Sequence, residues 1–97
     1  MNNVKPVVGI HATIAYASDC RPCTVVKVSA SGSKVTVRSD NAVRVDKNGM
    51  SDTQEYEYSD NPDGALTVFH RRDDGRYGKP GYRLVLGERR YYYDFSF

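Results

Sequence analysis

Thr24-Val25-Val26-Lys27-Val28-Ser29-Ala30-Ser31-Gly32-Ser33-Lys34-Val35-Thr36-Val37-Arg38 is the stretch that decides the fold class. It consists of two valine-rich runs joined by Ser-Gly-Ser. β-Branched side chains are stiff about χ1 and pack well on a pleated surface, so both runs read as strands. Ser31-Gly32-Ser33 supplies the tight hairpin connection between them. Strict alternation in the first run places Val26, Val28 and Ala30 inward, with Val25, Lys27 and Ser29 outward. In the second run Val35 and Val37 share one face, and Lys34, Thr36 and Arg38 share the other. The same parity resumes at Val43 and Val45, after a polar interruption at Ser39-Asp40-Asn41 that is either a bulge or a break between two strands.

The pattern extends in both directions. Residues 12–16 form a short first run, ahead of the hairpin. After it, Asp46-Lys47-Asn48-Gly49 is a turn, and residues 53–59 set Glu55 and Glu57 against Tyr56 and Tyr58. Asp60-Asn61-Pro62-Asp63-Gly64 turns again. Residues 65–72 read as a strand that puts His70 on the Leu66/Val68 face, partly buried. Asp73-Asp74-Gly75 turns back, Gly78-Lys79-Pro80-Gly81 reads as a loop, and residues 83–86 form a short strand before the Gly87-Glu88-Arg89 turn. Tyr91, Tyr93, Phe95 and Phe97 alternate at the C-terminus and are expected to close the core, leaving Tyr92 outward.

No window carries a helical apolar period, and Gly and Pro punctuate the chain too often for a long helix. Six or seven short strands in 97 residues predict an all-β fold, a small SH3-like barrel or strongly curled antiparallel sheet. The expectation is one domain over residues 1–97, with residues 1–7 loosely attached.

Composition narrows the function classes. With 39% hydrophobic and 27% charged residues the balance is globular rather than disordered. A net charge of +2 argues against bulk polyelectrolyte behaviour. The charges are unevenly placed, however. Asp52, Glu55, Glu57, Asp60 and Asp63 follow one another with no base among them. Arg71, Arg72, Arg76, Lys79, Arg83, Arg89 and Arg90 then face only Asp73, Asp74 and Glu88. Such asymmetry marks either a binding face or strands that pair their charges across a sheet. Two cysteines are too few for a disulfide framework, and no apolar stretch approaches the roughly 20 residues of a membrane span. The N-terminus lacks the apolar core of a signal peptide, so the expected setting is cytoplasmic, with reduced thiols.

The candidate chemistry is sparse. Cys20-Arg21-Pro22-Cys23 has redox or half-zinc spacing, but the strand that follows is the wrong context for a redox motif, which lowers its thiol pKa at a helix N-terminus. Completing a zinc site would require the barrel to bring His11 and His70 to the pair. Neither histidine has a nucleophile-and-base signature beside it. Gly75, Gly78 and Gly81 with Arg76 and Lys79 offer loop amides and cations for an anion, without a phosphate-loop motif. The expectation is a non-enzymatic protein with no cofactor and no metal.

Ala12-Thr13-Ile14, Tyr16-x-Ser18-Asp19, Thr24-Val25-Val26-x-Val28-Ser29, Asp46-x-Asn48-Gly49-Met50-Ser51-Asp52-x-Gln54-Glu55-Tyr56 and the ending Tyr92-Tyr93-Asp94-Phe95-Ser96-Phe97 together span nearly the whole chain. In these pieces the chain resembles a group of small proteins encoded by bacteriophages and other mobile elements, a group without an established activity. The resemblance implies a phage origin and a bacterial host cytoplasm, and it carries over no site residues. Many small accessory phage proteins bind and block a host protein, which is analogy from genome context.

Two binding readings follow. In the first, an accessory protein engages a host protein, as an anti-defence inhibitor for example, through Asp52, Glu55, Glu57 and Asp60 with Tyr56 or Tyr58 as anchors. In the second, a nucleic-acid-binding module uses Arg76, Lys79, Arg83, Arg89 and Arg90 on phosphates and stacks a base on Tyr92. Self-association through an exposed strand edge, with Thr36 and Val25 facing outward, is a third expectation. No membrane partner is expected.

Overall fold

The computed structural model describes residues 5–16, 19–47, 49, 54–73, 75–79 and 81–92. Its strands are β1 (His11–Ala15), β2 (Cys20–Val28), β3 (Lys34–Ser39), β4 (Asn41–Arg44), β5 (Tyr56–Ser59), β6 (Leu66–Arg71), β7 (Tyr77–Lys79) and β8 (Tyr82–Leu86). β1-β2-β3-β6-β7-β8 form a closed antiparallel barrel, and β4-β5 form a separate two-stranded ribbon inserted between β3 and β6. This is the all-β small barrel expected from the alternation, and it is consistent with an SH3-like architecture.

Closure is what lets so short a chain bury a core. Each strand contributes one or two inward side chains, and the barrel interior is narrow enough for them to fill it. Ala12 and Ile14 come from β1, Cys23 and Val25 from β2, Val35 and Val37 from β3, Phe69 from β6, Tyr77 from β7 and Leu84 from β8. Phe69 is fully buried, and its removal from water contributes on the order of 2–3 kcal/mol.

The phase of β2 differs from strict alternation. Val25 pairs with Val37 and Lys27 with Thr36, so the register slips by one residue at Val26. Val26 is the extra residue of a β-bulge, which resets which side chains point inward. Cys23 and Val25 therefore line the core, and Val28 packs against it from the far side of the bulge. The outward placement expected for Val25 is thus reversed, and with it one of the two side chains assigned to a self-association edge. Closure pairs every barrel strand on both sides, and β4-β5 stands apart as a two-stranded sheet.

One open alternative is resolved and three further expectations are corrected. The interruption at Ser39-Asp40-Asn41 is a break: β3 stays in the barrel wall and β4 leaves it. Val43 and Val45, expected to share the buried parity of Val35 and Val37, lie on the outer face of the ribbon with 62% and 47% of their surface exposed. On β6 the inward residue is Phe69, so Leu66, Val68 and His70 all face outward and His70 is exposed rather than packed. The stretch expected as a loop at Gly78 and Lys79 is the strand β7, because Tyr77 pairs with Leu84 and delivers its ring to the core. The Tyr77 hydroxyl donates to the Gly32 carbonyl at 2.5 Å, tying β7 to the β2–β3 turn.

Gly64 shows how tightly the ribbon rejoins the barrel. A Cβ at this position would sit 2.1 Å from the Ser39 carbonyl oxygen, so only glycine lets the chain pass the end of β3. At the C-terminal end, Tyr92 exchanges backbone hydrogen bonds with Cys20, and the Tyr91 ring packs on Tyr56 with centroids 4.5 Å apart. Tyr91 and Tyr92 are both half-buried, so neither is the wholly outward residue that alternation assigned to Tyr92. Tyr93, Phe95 and Phe97 lie outside the described residues.

Candidate nucleic-acid interface

The barrel turns the charge asymmetry of the sequence into two separate surfaces. On β3 and β6, Lys34 stands opposite His70, Thr36 opposite Val68, and Arg38 opposite Leu66. Lys27 joins this outer wall from β2, beside Thr36. Arg71 and Arg72 are exposed where β6 ends, and Arg76 is exposed before β7 begins.

The wall continues onto β7 and β8. Leu84 and Ile14 are paired and buried, so the neighbouring pair, Arg83 and Ala15, faces outward. Arg83 is flanked by Gly78 on β7 and Ala15 on β1, two residues too small to cover it. At Gly78 a Cβ would meet the Tyr82 carbonyl oxygen at 3.1 Å, so glycine keeps both the strand pairing and the low wall beside Arg83.

Two hollows meet at Arg83. One, of about 330 Å³, is bounded by Arg76, Tyr77, Arg83 and the Val85–Leu86 end of β8. The other, of about 380 Å³, is lined by Ala15, Tyr16, Gly81, Tyr82 and Arg83. Sharing Arg83, the two follow β8 from Tyr82 to Leu86, and the core residues Tyr77 and Leu84 are among the lining of the first. A five-residue strand extends roughly 17 Å, so this β8 groove holds a few residues of an extended polymer rather than a large ligand. At its tyrosine end the rings of Tyr16 and Tyr82 stand edge to face, with centroids 4.8 Å apart and planes at 89°. The Arg21 guanidinium lies over the Tyr16 ring, 6.0 Å from its centroid. Asp19 is the acid closest in sequence to this end; its carbonyl accepts the Tyr16 N–H at 2.8 Å.

Of the basic residues singled out in the sequence, the fold brings Arg76 and Arg83 to one groove. Lys79 lies on β7 by its backbone, and its side chain is outside the described residues. Arg89 is committed elsewhere. Its Nε donates to Asp40 at 2.9 Å and its Nη2 to Asp60 at 2.5 Å, and only 17% of its side chain is exposed. Arg90 is exposed on the loop after β8 and lines neither hollow. Tyr16 and Arg21, which the sequence did not single out, complete the aromatic end. Strand pairing brings them to β8 through the β1–β2 and β1–β8 ladders, and no spacing in the chain signals it.

The acidic set is partly spent inside the molecule. Asp60 is held by Arg89, and Asp52 lies outside the described residues. The Tyr56 hydroxyl donates to Gln54 at 2.6 Å, and the Tyr58 hydroxyl accepts the Tyr91 N–H at 2.9 Å. Burial pushes the Tyr56 phenol above its ordinary pKa. Both tyrosines thus face the chain's own C-terminal loop. Glu55 and Glu57 are exposed on the ribbon's outer face beside Val43 and Val45.

Both cysteines are held toward the protonated thiol. Burial raises the pKa of Cys20, and Cys23, in the barrel core, is pushed up to about 12 by burial and by the nearby Asp40 carboxylate. A thiol held protonated is a poor nucleophile and a poor metal ligand. Among the described residues neither cysteine shares a ligand cluster with a histidine; His11, Asp40 and Asp60 instead bring ligand atoms within 4.8 Å of one another. The Arg89 guanidinium bonds to both carboxylates and supplies the positive charge a cation would bring.

Comparison with known proteins finds no matching family model, no matching curated protein and no matching solved structure.

Proposed function

We propose that this chain is a non-enzymatic binding barrel that takes nucleic acid along the β8 groove. One observation carries the reading: Arg76 and Arg83 line one hollow beside β8, and Arg83 lines a second with the edge-to-face rings of Tyr16 and Tyr82. Cations spaced along a strand-length groove meet successive phosphates, and rings beside them take bases. Lys27, Lys34, Arg38, Arg71 and Arg72 extend the positive field across the neighbouring wall and steer a polyanion toward the groove. The bacterial host cytoplasm implied by the sequence resemblance is the setting proposed for it.

The test is a gel-shift and polarisation series with single- and double-stranded DNA and RNA across salt concentrations. Counterion release makes log affinity fall linearly with log salt, and Arg83→Ala is expected to lower that slope by about one. Absence of binding to every nucleic acid at low salt refutes the reading.

A second reading has its own observation. Val43 and Val45 are large exposed apolar residues beside Glu55 and Glu57 on the ribbon's outer face. That combination suits a basic, partly apolar protein partner, which is the form an anti-defence inhibitor of a host protein takes here. Retention of a host protein on the wild-type chain, lost in both Val43→Lys and Glu57→Lys, supports it; equal retention by all three removes it.

A further inference from the structure

Resting on the nucleic-acid reading of the same groove, we infer that its tyrosine end is a base-stacking site, which makes the ligand a single strand with unpaired bases rather than a duplex. The hollow at this end is lined by Ala15, Tyr16, Gly81, Tyr82 and Arg83. Two of these residues are aromatic, two are too small to cover a ring, and one is a cation. Tyr82 keeps 41% of its surface exposed although its ring is braced edge to face against Tyr16. Among the described residues Tyr56, Tyr58 and Tyr91 are half-buried, with Tyr91 in contact with both of the others, and Tyr77 fills the core.

The perpendicular rings form a corner. A planar base laid on one ring meets the edge of the other, and the two together exclude water from both sides of the contact. The bracing matters as much as the exposure, because a ring already held in place loses little side-chain entropy when a base stacks on it. Arg83 lines the same hollow as Tyr82 and is the cation available to a phosphate there, and it shares the other hollow with Arg76. Arg21, packed over Tyr16, adds a second cation at the same end.

A duplex does not fit this arrangement. Its bases present their π-faces only to one another, so a ring can reach one only after the pair is opened. Phosphate contacts alone would use the arginines and leave the corner idle. Stacking is also tolerant of sequence, since every base has a π-face, so no base preference is expected beyond stacking strength.

The experiment is fluorescence polarisation of the full chain with three labelled probes of equal length at one low salt concentration: oligothymidine, the same backbone with abasic sites, and a duplex. The expected result is that oligothymidine binds roughly ten-fold or more tightly than the abasic strand, since stacking one base is worth about that factor. Tyr82→Ala is expected to erase the difference and Tyr82→Phe to keep it, with circular dichroism showing both variants folded. If the abasic strand binds wild type as tightly as oligothymidine, stacking is wrong while the phosphate track stands. If the duplex binds most tightly, the single-strand assignment is overturned. If no probe binds, the groove reading itself fails. The wild-type comparison decides the matter even if Tyr82→Ala unfolds.

Discussion

Asp40→Ala is the substitution expected to cost the fold most outside the apolar core. The Asp40 carboxylate has none of its side-chain surface exposed. Its oxygens accept the Thr24 hydroxyl at 2.8 Å and 3.0 Å and Arg89 Nε at 2.9 Å. Arg89 reaches on to Asp60, so one carboxylate joins β2, the ribbon's return turn and the loop after β8. Removing it leaves the Thr24 hydroxyl, in a residue only 7% exposed, and Nε of the mostly buried Arg89 without their acceptor, while Nη2 keeps Asp60. Bonds to a charged group are worth about 1.5–3 kcal/mol each, and breaking a buried pair from one side costs about 3–5 kcal/mol. Discounting for the 17% of Arg89 that still meets water, the expected loss is about 3 kcal/mol. A domain of this size has a net stability of only about 5–15 kcal/mol. Since about 1 kcal/mol moves the midpoint by roughly 4–8 °C, the melt should fall by roughly 12–24 °C. Urea unfolding followed by tyrosine fluorescence measures the free energy, and a double-mutant cycle with Arg89→Ala isolates the pair. An Asp40→Ala protein that melts within a few degrees of wild type, or a cycle with no coupling, would falsify the claim that this carboxylate organises the junction.

The bulge makes a sharp contrast: Val25→Asp should abolish cooperative unfolding, whereas Val26→Thr should shift the midpoint by less than about 1 kcal/mol, since only Val25 is fully buried. Gly64→Ala should destabilise the chain and loosen hydrogen-exchange protection where β3 meets β6, because the added carbon meets the Ser39 carbonyl. Cys23 should resist a thiol reagent at pH 8 in the native protein and react once denatured; equal rates would contradict its burial. Its folded pKa, about 12 against an ordinary 9.0, is raised, so the thiol's contribution to stability is complete below pH 9 and is lost as pH rises toward 12. Cys23→Ala should flatten that alkaline loss in pH-dependent melts.

Local chemistry alone determined the strand class of this protein and most of its punctuation. Valines every second residue at Val35 and Val37, Ser31-Gly32-Ser33 between two β-branched runs, and Asn61-Pro62-Asp63-Gly64 ahead of β6 are short-range signals, and the barrel honours them. Periodicity could not say which of two faces is inward, because a single bulge reverses a strand's phase and nothing in Val25-Val26 marks the slip. Nor could it separate Val43 and Val45 from Val35 and Val37, since burial depends on whether a strand stays in the wall or leaves it. The candidate groove was half legible. Arg76 and Arg83 stood out as cations in a basic region, but Arg89 looked the same and is consumed by Asp40 and Asp60, residues distant in the chain. Tyr16 and Arg21 reach β8 only because β1 pairs with both β2 and β8 when the sheet closes. Charge and aromaticity belong to residues, and the sequence carries them; which charges are neutralised and which rings share a corner is decided by long-range strand pairing, which no local pattern encodes.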